Sequence, residues 1–296
     1  MDNEKEVRVR VPAGTSNCGS GFDTLGMALT LYSTVSVRIS SGGPSPILSP
    51  MMCEIRDLFF QKTGITACSV DVSIEGDVPS AKGMGSSVIV RAGILAGLNA
   101  LLGEPLDREG LVELTSAVEG HPDNASAAIL GGFCVARSCP DSGRYLETIR
   151  FPVDKSLKMV LVSPDTEILT DESRQTLPVE IPFDQVVKSL NSLAYVVAAF
   201  ASGDYEKLRG SVTDFLHQPY REPGILGARE AIDSGIEQGA FTGWLSGSGP
   251  SVLCVSENEY AESVGLAMQK AFASKGSDSI IRCLSVDNEG LKVLAD

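Results

Sequence analysis

The chain has 296 residues, 43% hydrophobic and 21% charged, the balance of a globular protein with room for one large or two ordinary domains. Its formal charge of −14, with no block of Lys and Arg to offset it, argues against nucleic acid or anionic membrane as a partner. The opening Met-Asp-Asn-Glu-Lys-Glu lacks the apolar core of a signal peptide, and no apolar run reaches the ~20 residues of a membrane span, so a soluble, cytoplasmic protein is expected.

Residues 7–12 alternate valine with basic residues, the period of a strand with one buried face. A Gly/Ser-rich loop follows over 13–21, then a second strand over 29–40 and a turn-rich connection over 42–50. Residues 69–74 alternate again and lead into a glycine loop, from which an apolar helix runs over 88–102. Over 107–119, Leu111, Leu114, Ala117 and Val118 fall on one stripe and predict a helix. Residues 129–137 read as a buried strand entered through Gly131 and Gly132. The polar stretch 140–156 is the best place to divide the chain, giving units of 1–154 and 155–296. Beyond it, strands are expected at 158–162, 243–245, 251–255 and 279–286, and helices at 183–202, 205–216, 226–238 and 261–275. Both halves mix the two element types, so the fold class is α+β. Seven cysteines, without a CxxC pair and several within apolar runs, point to reduced thiols and away from zinc.

The most informative segment is 79–89, Pro-Ser-Ala-Lys-Gly-Met-Gly-Ser-Ser-Val-Ile. Gly83 and Gly85 let the backbone close around an anion, and the helix that follows aims its free N–H groups at the same point. Ser86 and Ser87 can ligate the magnesium that accompanies a nucleotide. An ordinary glycine turn with a serine N-cap fits the same residues. The loop has neither the GxxxxGK[ST] of a Walker P-loop nor a dinucleotide GxGxxG.

Three further islands bear on the choice. In 12–26 a small-residue loop carries Asn17 and Asp23, which suit either a polar ligand or an Asx-turn network. In 119–124, Glu-Gly-His-Pro-Asp-Asn sets His121, Asp123 and Asn124 within four residues, an unusual composition for a mere turn. Glu113, eleven residues before Asn124 on the preceding helix, can offer a metal a hard oxygen. In 245–253 a Ser-Gly-Ser-Gly-Pro-Ser turn, containing Gly247 and Ser251, joins two apolar strands.

Together the islands resemble the GHMP kinases, a family of small-molecule kinases, and within it the homoserine kinase branch. Residues 79–87 are similar to the family's phosphate loop, and 246–251 to its third motif. Glu-Gly-His-Pro-Asp-Asn matches the branch's substrate motif intact, and the segments Thr170-x-x-x-Arg174-x-x-Leu-Pro178 and His217-Gln-Pro-Tyr-Arg221 also match. This chain departs in having Gly14, Thr15, Ser16, Cys18 and Ser20 in the first motif, Val88 and Ile89 after the serine pair, and Ser251 in place of Thr.

The resemblance implies a two-domain GHMP kinase fold, with an N-terminal half like ribosomal protein S5 domain 2 and a C-terminal ferredoxin-like α/β sandwich. It implies transfer of the ATP γ-phosphoryl group to the side-chain hydroxyl of L-homoserine, a step of threonine biosynthesis, and leaves room for a homodimer. Pro79, Ser80, Ala81, Lys82, Gly83, Met84, Gly85, Ser86, Ser87, Val88 and Ile89 would form the ATP site, with Lys82 adding charge. Ser87 (or Ser86) and Glu113 would hold Mg2+. Asn17, Asp23, His121, Asp123 and Asn124 would orient the acceptor, Arg174 and Arg221 would grip its carboxylate, and Thr170, Gly247 and Ser251 would complete the pocket. Asn124, Asn17 and Glu113 are the expected catalytic residues. An amide at position 124 cannot take a proton as a carboxylate would, so no dedicated base is expected. A kinase for threonine or a sugar, or a non-catalytic amino-acid sensor, are the alternatives. The two arginines speak against a sugar, and the presumed metal pair against a sensor.

Overall fold

A computed structural model describes residues 5–40 and 47–295; residues 42–46 of the expected turn-rich connection, and the first four residues, lie outside these. The chain opens with β1 (Lys5–Ser16) and β2 (Leu25–Ser40), paired antiparallel along their length. The pairing is irregular between Pro12 and Ala13, where proline has no N–H to give the ladder, and β1 then resumes to Ser16. The loop expected over 13–21 is therefore shorter and begins at Asn17.

Next come α1 (Pro50–Thr63), β3 (Ser69–Gly76), α2 (Ser86–Leu101), α3 (Arg108–Glu119), α4 (Asp123–Leu130), β4 (Phe133–Ser138) and β5 (Tyr145–Phe151). Sequence reading missed α1, although Ser49 caps its start, Pro50 opens it and left-handed Gly64 ends it. The strand expected over 129–137 is divided: Ile129 and Leu130 finish α4, and β4 starts only after the Gly131–Gly132 break. The polar stretch 140–156 is no simple linker, because β5 within it pairs with β4.

The second half runs β6 (Leu157–Pro164), α5 (Thr170–Gln175), α6 (Phe183–Ser202), α7 (Gln218–Arg221), α8 (Ala228–Glu237), β7 (Thr242–Leu245), β8 (Val252–Glu257), α9 (Ala261–Ser274), β9 (Ser279–Leu284) and β10 (Lys292–Leu294). Only one 3-10 turn, Tyr205–Leu208, forms within the helix expected over 205–216. Side chains of α6 take up two of the later amides: Ser192 accepts from Thr213 N, and Ser189 from Phe215 N. Asp214 then accepts from the amides of Leu216, His217 and Gln218. With its N–H groups taken in this way, the segment gains little by coiling.

Two antiparallel sheets result. One has the order β10-β1-β2-β4-β5, with β3 on the far end of β2; the other has the order β7-β8-β6-β9. With α8 and α9 as its crossovers, the second is a βαββαβ unit of ferredoxin-like strand order. The chain passes from the first sheet to the second between Phe151 and Leu157, and its last strand returns to pair with β1. Helices α1 to α4 bury Phe59, Ile94, Leu95 and Leu98 against Val9, Val35 and Val37 of the first sheet. Helices α8 and α9 cover one face of the second through Ile232, Val264 and Phe272. Its other face meets the first sheet and α6 in a shared core of Met27, Phe133, Leu161, Phe200 and Trp244. Burial of each such side chain contributes roughly 1.5–3 kcal/mol. Strand β6 is thus covered on both faces, which is why it reads as a continuous apolar run. Among the described residues no helix is long and apolar enough to cross a membrane.

Candidate active site

The halves meet at a cleft. One wall is the glycine loop and the start of α2. Gly83 has φ +70°, and a Cβ there would sit 2.2 Å from the Ser246 carbonyl oxygen; only glycine lets the loop lie on the β7–β8 turn. Ser246 fastens this contact by donating to Gly83 O at 2.7 Å. Gly85, at φ +72°, begins α2 without a side-chain cap, which leaves the first amides of the helix for a ligand.

Asn17, Asp23, His121, Asp123, Asn124, Thr170, Arg174, Arg221 and Gly247 all line this cleft, as do Ala81, Gly83, Met84, Gly85, Ser86 and Ser87. The remaining expected residues do not. Pro79 and Lys82 face a separate hollow behind the loop, where Lys82 Nζ donates to the carbonyls of Pro164 and Thr166 at 3.0 and 2.7 Å. The lysine tethers the loop to the end of β6 instead of adding charge to the cleft. Ser80 is exposed at the loop's entry, and Val88 and Ile89 are buried in the first core. Ser251 is fully buried and donates to Lys82 O at 2.6 Å, supporting the loop from beneath.

Glu113 also lies elsewhere, paired with Lys62 of α1 at 3.0 Å in solvent. The carboxylate in the cleft is Glu119, at the end of the same helix. Its Oε2 is 3.4 Å from Ser87 Oγ, and its other oxygen pairs with Arg91. Six residues turn a helix by about 600°, which puts 113 and 119 on different faces. Glu119 opens the Glu-Gly-His-Pro-Asp-Asn motif, so its signal was present in the sequence. Ser16, Phe22, Ile168 and Ser248 also line the cleft unannounced by any motif role.

Asn17 is spent on architecture: its Nδ2 donates to Gly247 O at 3.1 Å, and its Oδ1 accepts from Asp23 N at 3.1 Å. At φ +66° it turns the chain so that Asp23 faces the cleft. Asn124 Nδ2 donates to Ser16 Oγ at 3.0 Å. Asp123 Oδ1 accepts from Asn124 N at 2.7 Å and lies 2.8 Å from His121 Nδ1. Burial would push His121 down, but the hydrogen bond and charge of Asp123 outweigh it and raise its pKa above the ordinary value. Oxygen or nitrogen atoms of Asp23, His121 and Asp123 lie within 4.8 Å of one another, an electron-rich corner that suits an ammonium group.

The two arginines differ. Arg174 is bidentate to Asp23 at 2.6 and 3.1 Å; burial opposes its charge, yet the pair wins and raises its pKa. Arg221, only 5% exposed, donates Nη1 to Gly247 O at 3.2 Å, while its buried Nε has no partner. Among the described residues it forms no ion pair. Burial, then the charge of Arg174, push its pKa down to about 10, still cationic at neutral pH. Phe22 packs against both guanidinium groups, 5.1 Å from Arg174 and 5.2 Å from Arg221.

Comparison with known proteins identifies the family. The family model for the GHMP kinases N terminal domain matches residues 51–132, and that for the GHMP kinases C terminal matches 196–274. The homoserine kinase of Carboxydothermus hydrogenoformans is 35% identical over 294 residues, covering 93% of this chain and 92% of that protein. The homoserine kinase of Moorella thermoacetica is 35% identical over 298 residues, covering 97% and 99%. The crystal structure of homoserine kinase from Cytophaga hutchinsonii superposes with a TM-score of 0.88 at 25% identity, covering 98% of this chain and 97% of that one. Both halves carry the two-domain GHMP kinase fold around one cleft, and the chain belongs to the GHMP kinases.

Proposed function

We propose that this kinase transfers the γ-phosphoryl group of ATP to the side-chain hydroxyl of L-homoserine, giving O-phospho-L-homoserine. The observation that carries the substrate is Arg221, a buried guanidinium with an unpartnered Nε and no ion pair among the described residues. A carboxylate is the group that completes it. The corner of Asp23, His121 and Asp123 then takes the ammonium of the same amino acid. A sugar or mevalonate supplies at most one of these two charges.

The uncapped start of α2 fits a phosphate, and Ser87 with Glu119 offers the hard oxygens that Mg2+ prefers. ATP would supply the phosphoryl group, and Mg2+ held by Ser87 and Glu119 would supply positive charge beside it. The protein's own work is positioning. Asn124 orients the acceptor hydroxyl, held in turn by its side-chain hydrogen bond to Ser16 and by the hydrogen bond its backbone N–H donates to Asp123 Oδ1. Asp23 holds Arg174 beside Arg221. The hydroxyl proton leaves to phosphate or water, since an amide at 124 cannot accept it. A coupled ADP-release assay across homoserine, threonine, mevalonate and simple sugars tests the reading. Homoserine should give the highest kcat/KM, and no turnover with it would overturn the assignment.

A further inference from the structure

His217 has no part in the reaction as described, yet it is fully buried four residues before Arg221. Its ring is held on three sides. Nε2 meets the Gly19 carbonyl oxygen at 2.7 Å, in the loop that carries Asn17 and Asp23. Phe22 stacks on its face with ring centroids 5.3 Å apart. Nδ1 lies 3.3 Å from Arg221 Nη1. A guanidinium nitrogen offers only hydrogens, so this contact requires the Nδ1 lone pair; the Gly19 carbonyl requires the hydrogen on Nε2. The two contacts together define one neutral tautomer. Asp214, 3.5 Å from Nε2, accepts from the backbone amides of His217 and Gln218 with the same oxygen. Burial and then, against Asp214, the charge of Arg221 hold the pKa of His217 below its ordinary value; Asp23 acts in the upward direction from across Phe22.

We propose that neutral His217 is a positioning residue for acceptor recognition: by accepting from Arg221 Nη1 while anchored to the Gly19 carbonyl, it aims the remaining guanidinium N–H groups at the acceptor's α-carboxylate. Arg221 could otherwise swing about its long stem. Its fixed points are two neutral acceptors, His217 Nδ1 and Gly247 O, so the full cationic charge is left for the substrate. Protonation of His217 would set N–H against N–H and release the guanidinium. The inference rests on the homoserine reading.

Two substitutions separate the imidazole's contacts. His217→Asn places an amide oxygen near Nδ1 and keeps an acceptor for Arg221. His217→Gln places an amide N–H near Nε2, keeps the Gly19 tie and leaves Arg221 without its acceptor. The assay compares L-homoserine with 2-aminobutane-1,4-diol, in which a hydroxymethyl group replaces the carboxylate. His217→Gln should raise the homoserine KM roughly tenfold or more, the loss expected of a hydrogen bond to a charged group, with kcat little changed. It should leave kcat/KM for the diol unchanged, and His217→Asn should recover most of the homoserine KM. A fall for both acceptors alike, an equal defect in both variants, or a lowered melting temperature with an unchanged homoserine KM would overturn the proposal. If the unsubstituted protein turns over no homoserine, it is the acceptor assignment that has failed.

Discussion

The two carboxylates of α3 provide the sharpest test of the site. Glu113→Gln removes half of a pair with Lys62 in which each side chain is 42% exposed. Such a pair contributes ~0–1 kcal/mol to stability, and no kinetic change is expected. Glu119→Gln removes a carboxylate that is 8% exposed, beside Ser87 at the start of α2. If Glu119 ligates Mg2+, losing its charge should weaken metal activation by at least ~10- to 100-fold, the effect that loss of an outer-shell metal partner already has. The variant has a second consequence to separate. Arg91 is 15% exposed and pairs with Glu119. Gln keeps an oxygen for that guanidinium, so the stability loss should stay below the ~3–5 kcal/mol of deleting one partner of a buried pair. The assay is ADP release at saturating ATP and homoserine, titrated with Mg2+, alongside thermal denaturation. Glu119→Gln should shift the Mg2+ activation midpoint upward while the folded protein persists. A normal midpoint for Glu119→Gln, or a shifted one for Glu113→Gln, would refute the reassignment.

If Asn124 orients the acceptor hydroxyl as proposed, Asn124→Ala should lower kcat by roughly 10²-fold or more while leaving ATP binding nearly intact, checked by nucleotide titration. Gly83→Ala forces a Cβ into the left-handed region and to 2.2 Å from Ser246 O; it should cost ~1–2 kcal/mol from the backbone alone and abolish ATP binding as the loop lifts off its turn. Wild-type nucleotide affinity in that variant would contradict the packing described. The two histidines should give opposite pH dependences of stability. His121 has a raised pKa, so its stabilisation is present below the unfolded value of about 6.5 and is lost as pH rises through the folded value. His217 has a lowered pKa, so stability is lost as pH falls from about 6.5 toward the folded value. Melting temperatures from acid to neutral pH should show the cost of His121→Asn greatest at acid pH and that of His217→Asn greatest at neutral pH. Parallel curves would refute this.

Which parts of the site could be read from residues follows from how far each contact reaches along the chain. The glycine loop and the His121–Asn124 cluster are local, and the folded chain brings both to one cleft. Helix α1 is just as local, with Ser49, Pro50 and Gly64 marking its ends, so its signals lie within one window of the sequence. Glu113 and Glu119 are a harder case: both are acidic residues on one helix, and only the direction in which α3 packs on α1 and α2 decides which carboxylate reaches Ser87. The segment after residue 208 reads as helix by composition, but Ser192 and Ser189 of α6 accept from its amides at Thr213 and Phe215, a tertiary effect that no window of sequence contains, while Asp214 within it turns the chain locally.

The arginines carry the argument furthest. As sequence, Arg174 and Arg221 are equivalent candidates for a carboxylate. In the fold they are divided by the loop between β1 and β2, whose left-handed Asn17 and Asp23 turn one carboxylate toward Arg174 and the Gly19 carbonyl toward His217. Arg174 therefore begins with its charge balanced, and Arg221 begins with neutral acceptors. Under the proposed reading, an incoming zwitterion would meet both needs at once: its ammonium would share Asp23, loosening Arg174, while its carboxylate would complete Arg221 and draw Arg174 toward it. An acceptor without a carboxylate leaves Asp23 in its pair with Arg174 and leaves Arg221 unsatisfied. The discrimination is thus built from the cost of unpaired buried charge more than from added attraction.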